Sequence, residues 1–235
     1  MHKIITSAGV GLIAILSASA VCAADQKVRQ SIVKVPAVVA APSWTGFYFG
    51  GHVGYLWGRT RVEENGVLTE SGAPTNGVVG GVLGGYNWQS GAYVYGLEAD
   101  FGWSNAHGNG IAAVSTFIET PNQYDIRWTS HVRGRFGFLY DSITLFYLAG
   151  GLSLADFKFT EGADIAVTIV NQGAVFAGGS IGGGVERILT SWVRGRIEYL
   201  YDDFGSKTYV TAPDDTYNIH VTGHTVRGAL TVNFP

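Results

Sequence analysis

Apolar and polar residues alternate along most of the chain after Ser43, and a period of two predicts β-strands. The clearest example is the stretch 130–151, SHVRGRFGFLYDSITLFYLAGG. In its first arm Phe136 lies on an aromatic face, whereas Arg133 and Arg135 lie on the opposite face. Asp141-Ser142 interrupts the alternation before a second alternating arm begins. The stretch therefore predicts a hairpin with a very short turn.

The aromatic faces of these strands indicate which side meets solvent. A soluble sheet buries its aromatic residues, but the sequence offers no helix to cover so many aromatic strands. The alternative places arginines in a small polar interior and aromatic side chains against lipid. Eight segments follow this pattern, so we predict an all-β, eight-stranded antiparallel up-and-down transmembrane β-barrel. They lie around residues 44–58, 76–89, 93–103, 124–140, 146–153, 170–187, 193–201 and 217–234.

The connections between the predicted strands alternate in length. Those at 89–91, 141–142 and 189–191 are short, whereas those at 59–75, 105–123, 159–169 and 203–216 are long. Short periplasmic turns and long extracellular loops are typical of outer-membrane barrels. Proline cannot donate to a β-ladder, and Pro74, Pro121 and Pro213 all fall in predicted long loops.

The tryptophans predict two girdles at the membrane interfaces. The first two lie thirteen residues apart. On a strand tilted by about 40° that separation rises roughly 33 Å, close to the ~30 Å hydrocarbon core. Amphipathic indole rings favour this interface. The predicted girdle residues are Trp44, Trp57, Trp88, Trp103, Trp128 and Trp192.

Charged side chains on the inward parity predict an interior ion-pair network. The lumen of an eight-stranded barrel is just wide enough for side chains to fill it. Because an unpaired buried charge is costly, paired acids and bases are favoured over a wide water-filled channel. We also expect Arg127 to face inward, between the outward Ile126 and Trp128. The predicted network comprises Glu98, Asp100, Arg133, Arg135, Glu186, Arg194, Arg196, Glu198 and Arg227.

Three regions are expected along the chain: a signal peptide at 1–23, a periplasmic leader at 24–43 and the barrel at 44–235. Ile4 to Leu16 is an apolar core of signal-peptide length, and Val21-Cys22-Ala23 supplies small residues for cleavage. Cys22 is the only cysteine, so we expect no thiol chemistry in the mature chain.

Composition agrees with a lipid-facing surface. Of the 235 residues, 34 are glycine, 13% are aromatic and 14% are charged, whereas soluble domains carry about 25% charged residues. The net charge of -3 gives no basic field to recruit nucleic acid, so we expect no such partner.

Eight motifs together resemble a known family. They are WTGFYFGGHVGY, GGVLGGYNWQ, YGLEADFGW, RGRFGFLYD, YLAGGLSLA, GGGVE, WVRGRIEYLYDDFG and VRGALTVNF. The series is similar to that of the small porin-like outer-membrane surface antigens of α-class Gram-negative bacteria, which share the architecture of the OmpA membrane domain. The resemblance implies export to the outer membrane, assembly by the barrel assembly machinery, and contact with outer-membrane lipid and lipopolysaccharide. One departure is that Pro235 follows the terminal aromatic Phe234.

The expected function is structural: envelope integrity and the presentation of extracellular loops to surface partners such as host molecules. A hemin-binding surface receptor and a small porin with narrow conductance are the alternatives. Some relatives in the resembled family bind hemin, which makes the loop-side His107, His220 and His224 candidate heme ligands. Apart from heme as a ligand, we expect no cofactor. We expect no metal site, because histidines four apart on a strand are separated by about 13 Å.

An enzyme is not expected. Lipid-modifying barrels need a nucleophile and a base at the loop-side rim, and Ser104 with His107 is the nearest such pair. No acid is placed to orient that histidine.

Overall fold

A computed structural model describes residues 42–64, 66–115, 118–161, 170–212 and 215–234. They form a closed barrel of eight antiparallel strands joined in chain order, which confirms the predicted fold. The strands are β1 Gly46–Glu64, β2 Val67–Ser90, β3 Tyr93–Ser115, β4 Ile118–Leu139, β5 Thr144–Glu161, β6 Val170–Ile188, β7 Val193–Ala212 and β8 Asp215–Phe234. The predicted signal peptide, most of the predicted leader and Pro235 lie outside the described residues. Within these ranges no helix is long and apolar enough to cross a membrane.

The two faces of each strand have the predicted polarity. On β4, Phe136 is 58% exposed on the outside, whereas the neighbouring Arg135 is 4% exposed in the lumen. Outward aromatic and aliphatic side chains recur around the barrel, as a hydrocarbon solvent requires. The inside-out arrangement read from the alternation is therefore present in the structure.

The strands are longer than the sequence predicted. Residues 59–75 were predicted to be a loop, yet β1 continues to Glu64 and β2 begins at Val67. The strands likewise extend into the predicted loops at 105–123, 159–169 and 203–216, which are therefore shorter than predicted. Inward residues such as Val62 and Ile219 still pack in the lumen at this height, so the ladder continues without lipid contact.

Two prolines lie in strands, contrary to the prediction: Pro74 in β2 and Pro121 in β4. Each sits where one neighbouring ladder has ended. The β2–β3 pairing stops at Asn76, and the β4–β5 pairing stops at Asn122. Proline is tolerated at such an edge because its missing N–H has no ladder partner to lose. Pro213 lies outside the described residues.

A β-bulge reverses the predicted faces at the loop end of β4. The β4–β5 register shifts between Ile126 and Trp128, which changes the parity of the strand beyond it. Ile126 is consequently buried in the lumen. Arg127, predicted to face inward, lies outside with a 57% exposed side chain and pairs with Asp156 Oδ2 at 2.8 Å.

The strands β6 and β7 separate on the loop side. Their pairing runs only from Gly179↔Asp203 to Ile188↔Arg194. Beyond it β7 bulges at Gly205, whose φ of 76° is favourable for glycine and whose N–H donates to Asp203 Oδ1 at 2.9 Å. Among the described residues, no ladder bond joins the two strands on the loop side of this pairing.

Three layers fill the lumen, whereas the sequence predicted a polar interior throughout. The middle layer holds the charged side chains. Toward the short turns lies an apolar layer made of Trp44, Val94, Leu139, Leu145, Tyr147 and Ala149. Toward the loops lies a larger apolar layer, which includes Leu56, Val79, Tyr124, Ile126, Phe157, Phe176, Phe204 and Val221.

Candidate functional site

The charged middle layer of the lumen, which we call the ionic belt, contains every residue of the predicted network. Each of these residues is at most 5% exposed. Alternation on β3, β4, β6, β7 and β8 points them all to the same interior. Because the barrel is narrow, side chains from opposite walls meet at its axis.

Arg133 occupies the centre of the ionic belt. Its Nη2 lies 2.7 Å from Glu98 Oε1, which is its cross-strand neighbour on β3. Its Nη1 reaches across the lumen to Glu198 Oε1 on β7 at 3.0 Å. A further contact of 3.1 Å joins Nη2 to Asp100. One planar guanidinium thus links two walls of the barrel through charge-assisted hydrogen bonds.

Two further arginines connect the same acids from the far wall. Arg227 Nε lies 2.7 Å from Glu198 Oε2, and its Nη2 lies 2.9 Å from Asp100 Oδ2. Arg196 Nη2 lies 2.6 Å from Glu98 Oε2. Each of the three carboxylates therefore has at least two arginine partners, which compensates its loss of water.

A smaller group lies on the short-turn side of the belt. Arg135 Nη2 lies 2.6 Å from Glu186 Oε2, and its guanidinium stacks over the Tyr147 ring at 4.2 Å. Arg194 is more distant from Glu186, at 3.9 Å. Its guanidinium lies 4.3 Å above the Trp44 ring and donates to the Ser43 carbonyl at 3.0 Å. Arg194 thereby joins the belt to the segment that closes the periplasmic end.

The sequence reasoning missed several members of the belt. Asp202 accepts from His131 Nε2 at 3.1 Å, while His131 Nδ1 lies 2.7 Å from Asp100 Oδ1. The Tyr48 hydroxyl donates to Glu98 at 2.8 Å, and the Tyr147 hydroxyl to Glu198 at 3.0 Å. Extending the alternation of the seventh strand by one inward position would have found Asp202.

The tryptophans divide into two groups. Trp57, Trp88, Trp103 and Trp192 are exposed on the outside, and Trp128 is partly covered by Phe101, at 5.5 Å between ring centroids. Trp44, predicted to be a girdle residue, is instead 0% exposed inside the barrel. Its N–H groups donate to Gln89 Oε1 at 2.8 Å and to the Ser142 carbonyl at 3.3 Å. It immediately precedes β1 and shares the inward parity of Tyr48 and His52, so the alternation was a better guide to its face than the spacing of the tryptophans.

The candidate heme ligands lie on the outside of the barrel. In register, His224 pairs with Trp57, Trp57 with Asn76, and Asn76 with His107. Three strand spacings of about 4.8 Å place His107 roughly 14 Å from His224, and four residues of β8 place His220 about 13 Å from it. These are separations between backbones, and they show that the three histidines do not form a compact cluster.

Ser104 and His107 do not form a catalytic pair. Ser104 is in register with the lumenal Val79, whereas His107 is in register with the outward Asn76, so the two residues lie on opposite faces of β3. Ser104 Oγ accepts from the Ala106 N–H at 3.0 Å, and the His107 ring contacts the Asn105 carbonyl. Among the described residues, no group of three His, Cys, Asp or Glu side chains could hold a metal ion.

Comparison with known sequences identifies the family of this chain. A family model described as an outer membrane protein beta-barrel domain matches residues 13–234. The chain belongs to this family. The 31 kDa outer-membrane immunogenic protein of Brucella melitensis biotype 1 is 31% identical over 94% of this chain and 97% of its own length. The 22 kDa outer membrane protein of Rhizobium leguminosarum bv. viciae is 34% identical over 73% and 70%.

Solved structures give a looser match. The outer membrane protein OprG from Pseudomonas aeruginosa covers 81% of this chain and 97% of its own, at 7% identity and a TM-score of 0.48, too low to support an argument. As a member of the outer membrane beta-barrel family, the chain resides in the outer membrane. The general orientation of such barrels assigns the short turns at 91–92, 140–143 and 189–192 to the periplasm. In the turn at Asp141, a hydrogen bond from the Ile143 N–H holds the pKa of the carboxyl below its usual range.

Proposed function

We propose that this protein is a structural outer-membrane barrel, closed to ions, that stabilises the envelope and displays its loop-side rim at the cell surface. The observation that carries the proposal is the filled lumen: an ionic belt between two apolar layers. A porin of narrow conductance would need a hydrated path along the axis. The proposal assigns no enzymatic activity to the chain.

The charges of the belt support a closed lumen. Five carboxylates face five guanidinium groups and the His131 ring, so every carboxylate has a basic partner within the belt. An ion crossing it would have to separate pairs that lie 2.6–3.1 Å apart. In a low-dielectric lumen that separation is strongly unfavourable. The groups are Glu98, Asp100, Glu186, Glu198 and Asp202 against Arg133, Arg135, Arg194, Arg196 and Arg227.

The rim supports a role in surface display. On β1 the strand continues from the interface residue Trp57 to Glu64. Seven residues on a strand tilted by about 40° rise roughly 18 Å. The rim therefore stands clear of the hydrocarbon and carries the connecting loops outward. Relatives whose names describe them as immunogenic outer-membrane proteins are consistent with such exposure. Hemin binding is not part of the proposal, because the three candidate histidines do not cluster at one site.

Single-channel recording tests closure. The folded protein, inserted into a planar bilayer beside a known porin as positive control, should give no conductance steps at either polarity in 1 M KCl. Stable, reproducible unit steps at low voltage would overturn the proposal, because they require a water-filled path through the belt.

A gene deletion tests the structural role. We expect the deletion strain to become more sensitive to detergent, and the wild-type gene to restore resistance. Unchanged sensitivity, together with unchanged outer-membrane permeability to a hydrophobic dye, would contradict a role in envelope integrity.

A further inference from the structure

The outer face of β6, β7, β8 and β1 carries an apolar groove in the membrane, which extends from Val53 and Ile197 down to Leu189 beside a short periplasmic turn. The groove has a volume of about 770 Å³. In register, Val53 neighbours Gly228, and Gly228 neighbours Ile197, while Leu230 lies between Gly51 and Gly195. Large aliphatic side chains thus form the walls, and their glycine neighbours leave the space between them. Its chemistry and dimensions suit an acyl chain.

A band of aromatic side chains on β7, β8 and β1 lies directly above the upper end of this groove. Tyr55 contacts Trp57 with ring centroids 4.9 Å apart, and Tyr201 contacts His224 at 5.1 Å. The Tyr199 hydroxyl lies 2.7 Å from His224 Nδ1. A second recess of about 720 Å³ opens here, between the aromatic band and the loop-side parts of β1, β2 and β8. Such a band marks the level at which hydrocarbon gives way to lipid headgroups.

Two arginines follow at the level of the headgroups. Arg59 and Arg61 are exposed at the next two outward positions of β1 after Trp57. They stand about 5 and 10 Å above it along the membrane normal. Arg59 lines the second recess, and Arg61 is in register with His220 on β8.

The charges around this pair leave it available to an anion. Within the described part of the chain, neither guanidinium forms an ion pair with a carboxylate. The nearby acid Asp203 lies 3.6 Å from His220 and accepts from the Gly205 N–H. Glu63, the next outward residue of β1, is another acid on this face among the described residues. By contrast, Arg127 elsewhere on the loop side is already paired with Asp156 at 2.8 Å.

We propose that this face binds one phosphorylated glycolipid of the outer leaflet, with its phosphate at Arg59 and Arg61 and an acyl chain that passes the aromatic band and ends in the upper part of the groove, at Val53, Gly228 and Ile197. Two parallel N–H donors make arginine well suited to phosphate. The aromatic band between the two subsites matches the sugar and ester region of such a lipid. A free phosphate ion would use only the arginines, and a zwitterionic phospholipid would bring no net negative charge to them. The proposal is independent of whether the lumen conducts.

Native mass spectrometry of the folded protein in detergent tests the site. The probe is diphosphoryl lipid A, with dephosphorylated lipid A, phosphatidylcholine and inorganic phosphate as separate arms. We expect one tightly retained diphosphoryl lipid, and at least tenfold weaker retention of each other probe. Equal binding of phosphatidylcholine, or full competition by inorganic phosphate at matched concentration, would overturn the proposal.

Variants separate the two subsites. Arg59→Gln with Arg61→Gln should weaken lipid binding at least tenfold. The control pair is Arg127→Gln with Lys158→Gln, and Lys158 lies on β5 in register with Asp125, away from the proposed site. This pair should leave binding unchanged. Gly228→Leu should also weaken binding, because its side chain would fill the groove. A β-carbon there lies 3.8 Å from its nearest neighbour, the Arg196 carbonyl oxygen, so the backbone accepts it. Each variant must retain the faster mobility of a folded barrel on an unboiled gel. Undiminished binding in the Arg59/Arg61 variant, or equal loss in the control, would contradict the assignment.

Discussion

Replacing Arg135 with methionine should isolate the energetic role of one buried ion pair. Glu186 Oε2 receives Arg135 Nη2 at 2.6 Å, while the next arginine among the described residues, Arg194, is 3.9 Å away. Methionine keeps much of the side-chain length but removes the charge. Glu186, which is only 1% exposed, would then be left without a close cation.

The expected cost follows from that geometry. Removing one partner of a buried pair destabilises a protein by about 3 to 5 kcal/mol, because the other charge stays buried. We expect the upper part of this range, since Arg135 also loses its contact with the Tyr147 ring. In the double variant Arg135→Met/Glu186→Gln the stranded carboxylate is gone, and Arg194 keeps its contacts with the Ser43 carbonyl and the Trp44 ring. The double variant should therefore be about 2 kcal/mol or more stable than the single Arg135 variant.

Urea unfolding in detergent, followed by tryptophan fluorescence and by the mobility of unboiled samples, measures these differences. Arg59→Met is the matched control, because Arg59 is exposed outside the barrel and its loss should change the free energy of unfolding by less than about 0.5 kcal/mol. If the double variant is no more stable than Arg135→Met alone, the cost does not come from stranding Glu186, and the reasoning is refuted.

Three further predictions use the same preparations. Phe136→Arg, on the lipid face, should lower the free energy of unfolding by about 2 to 4 kcal/mol, and equal stability would place that face away from lipid. Trp44→Ala should cost about 3 to 5 kcal/mol by emptying the periplasmic layer, and Trp192→Ala, on the outside, clearly less; equal losses would contradict the lumenal placement of Trp44. Hydrogen exchange should be faster for alternate amides of β6 before Gly179 than after it, and uniform protection would mean that the β6–β7 seam is closed.

The alternation of residues was sufficient to predict the barrel, its strand number and the faces of most strands. Polarity alternates strictly wherever one face meets hydrocarbon, so parity assigns Arg133 and Phe136 correctly. The same parity brought the acids and arginines of the belt together. It could not give their pairing, because contacts such as Arg133 to Glu198 cross the lumen between strands distant in sequence.

The errors lie where that constraint ends. Above the membrane the outer face meets water and can be polar, so apolar and polar residues no longer alternate. The ladder nevertheless continues to Glu64, and the alternation therefore predicted strands that are too short. A bulge beside Ile126 inverted the local parity, which placed Arg127 outside. Trp44 is a different case: it has the inward parity of the first strand, but the spacing of the tryptophans assigned it to a girdle, and its hydrogen bonds to Gln89 and Ser142 join residues distant in sequence.

Thiol reactivity tests the central claim, a barrel that is apolar outside and packed within. In a Cys22→Ser background, single cysteines would replace the lumenal Ser153, the lipid-facing Leu152 and the exposed periplasmic Ser142. With a membrane-impermeant maleimide, we predict rapid labelling at 142 and none at 153 or 152 until the protein is unfolded. A lipid-soluble maleimide should label 152 but not 153. Rapid labelling at 153 by the water-soluble reagent in the folded protein would contradict the account, because it would show water where the structure places a packed interior.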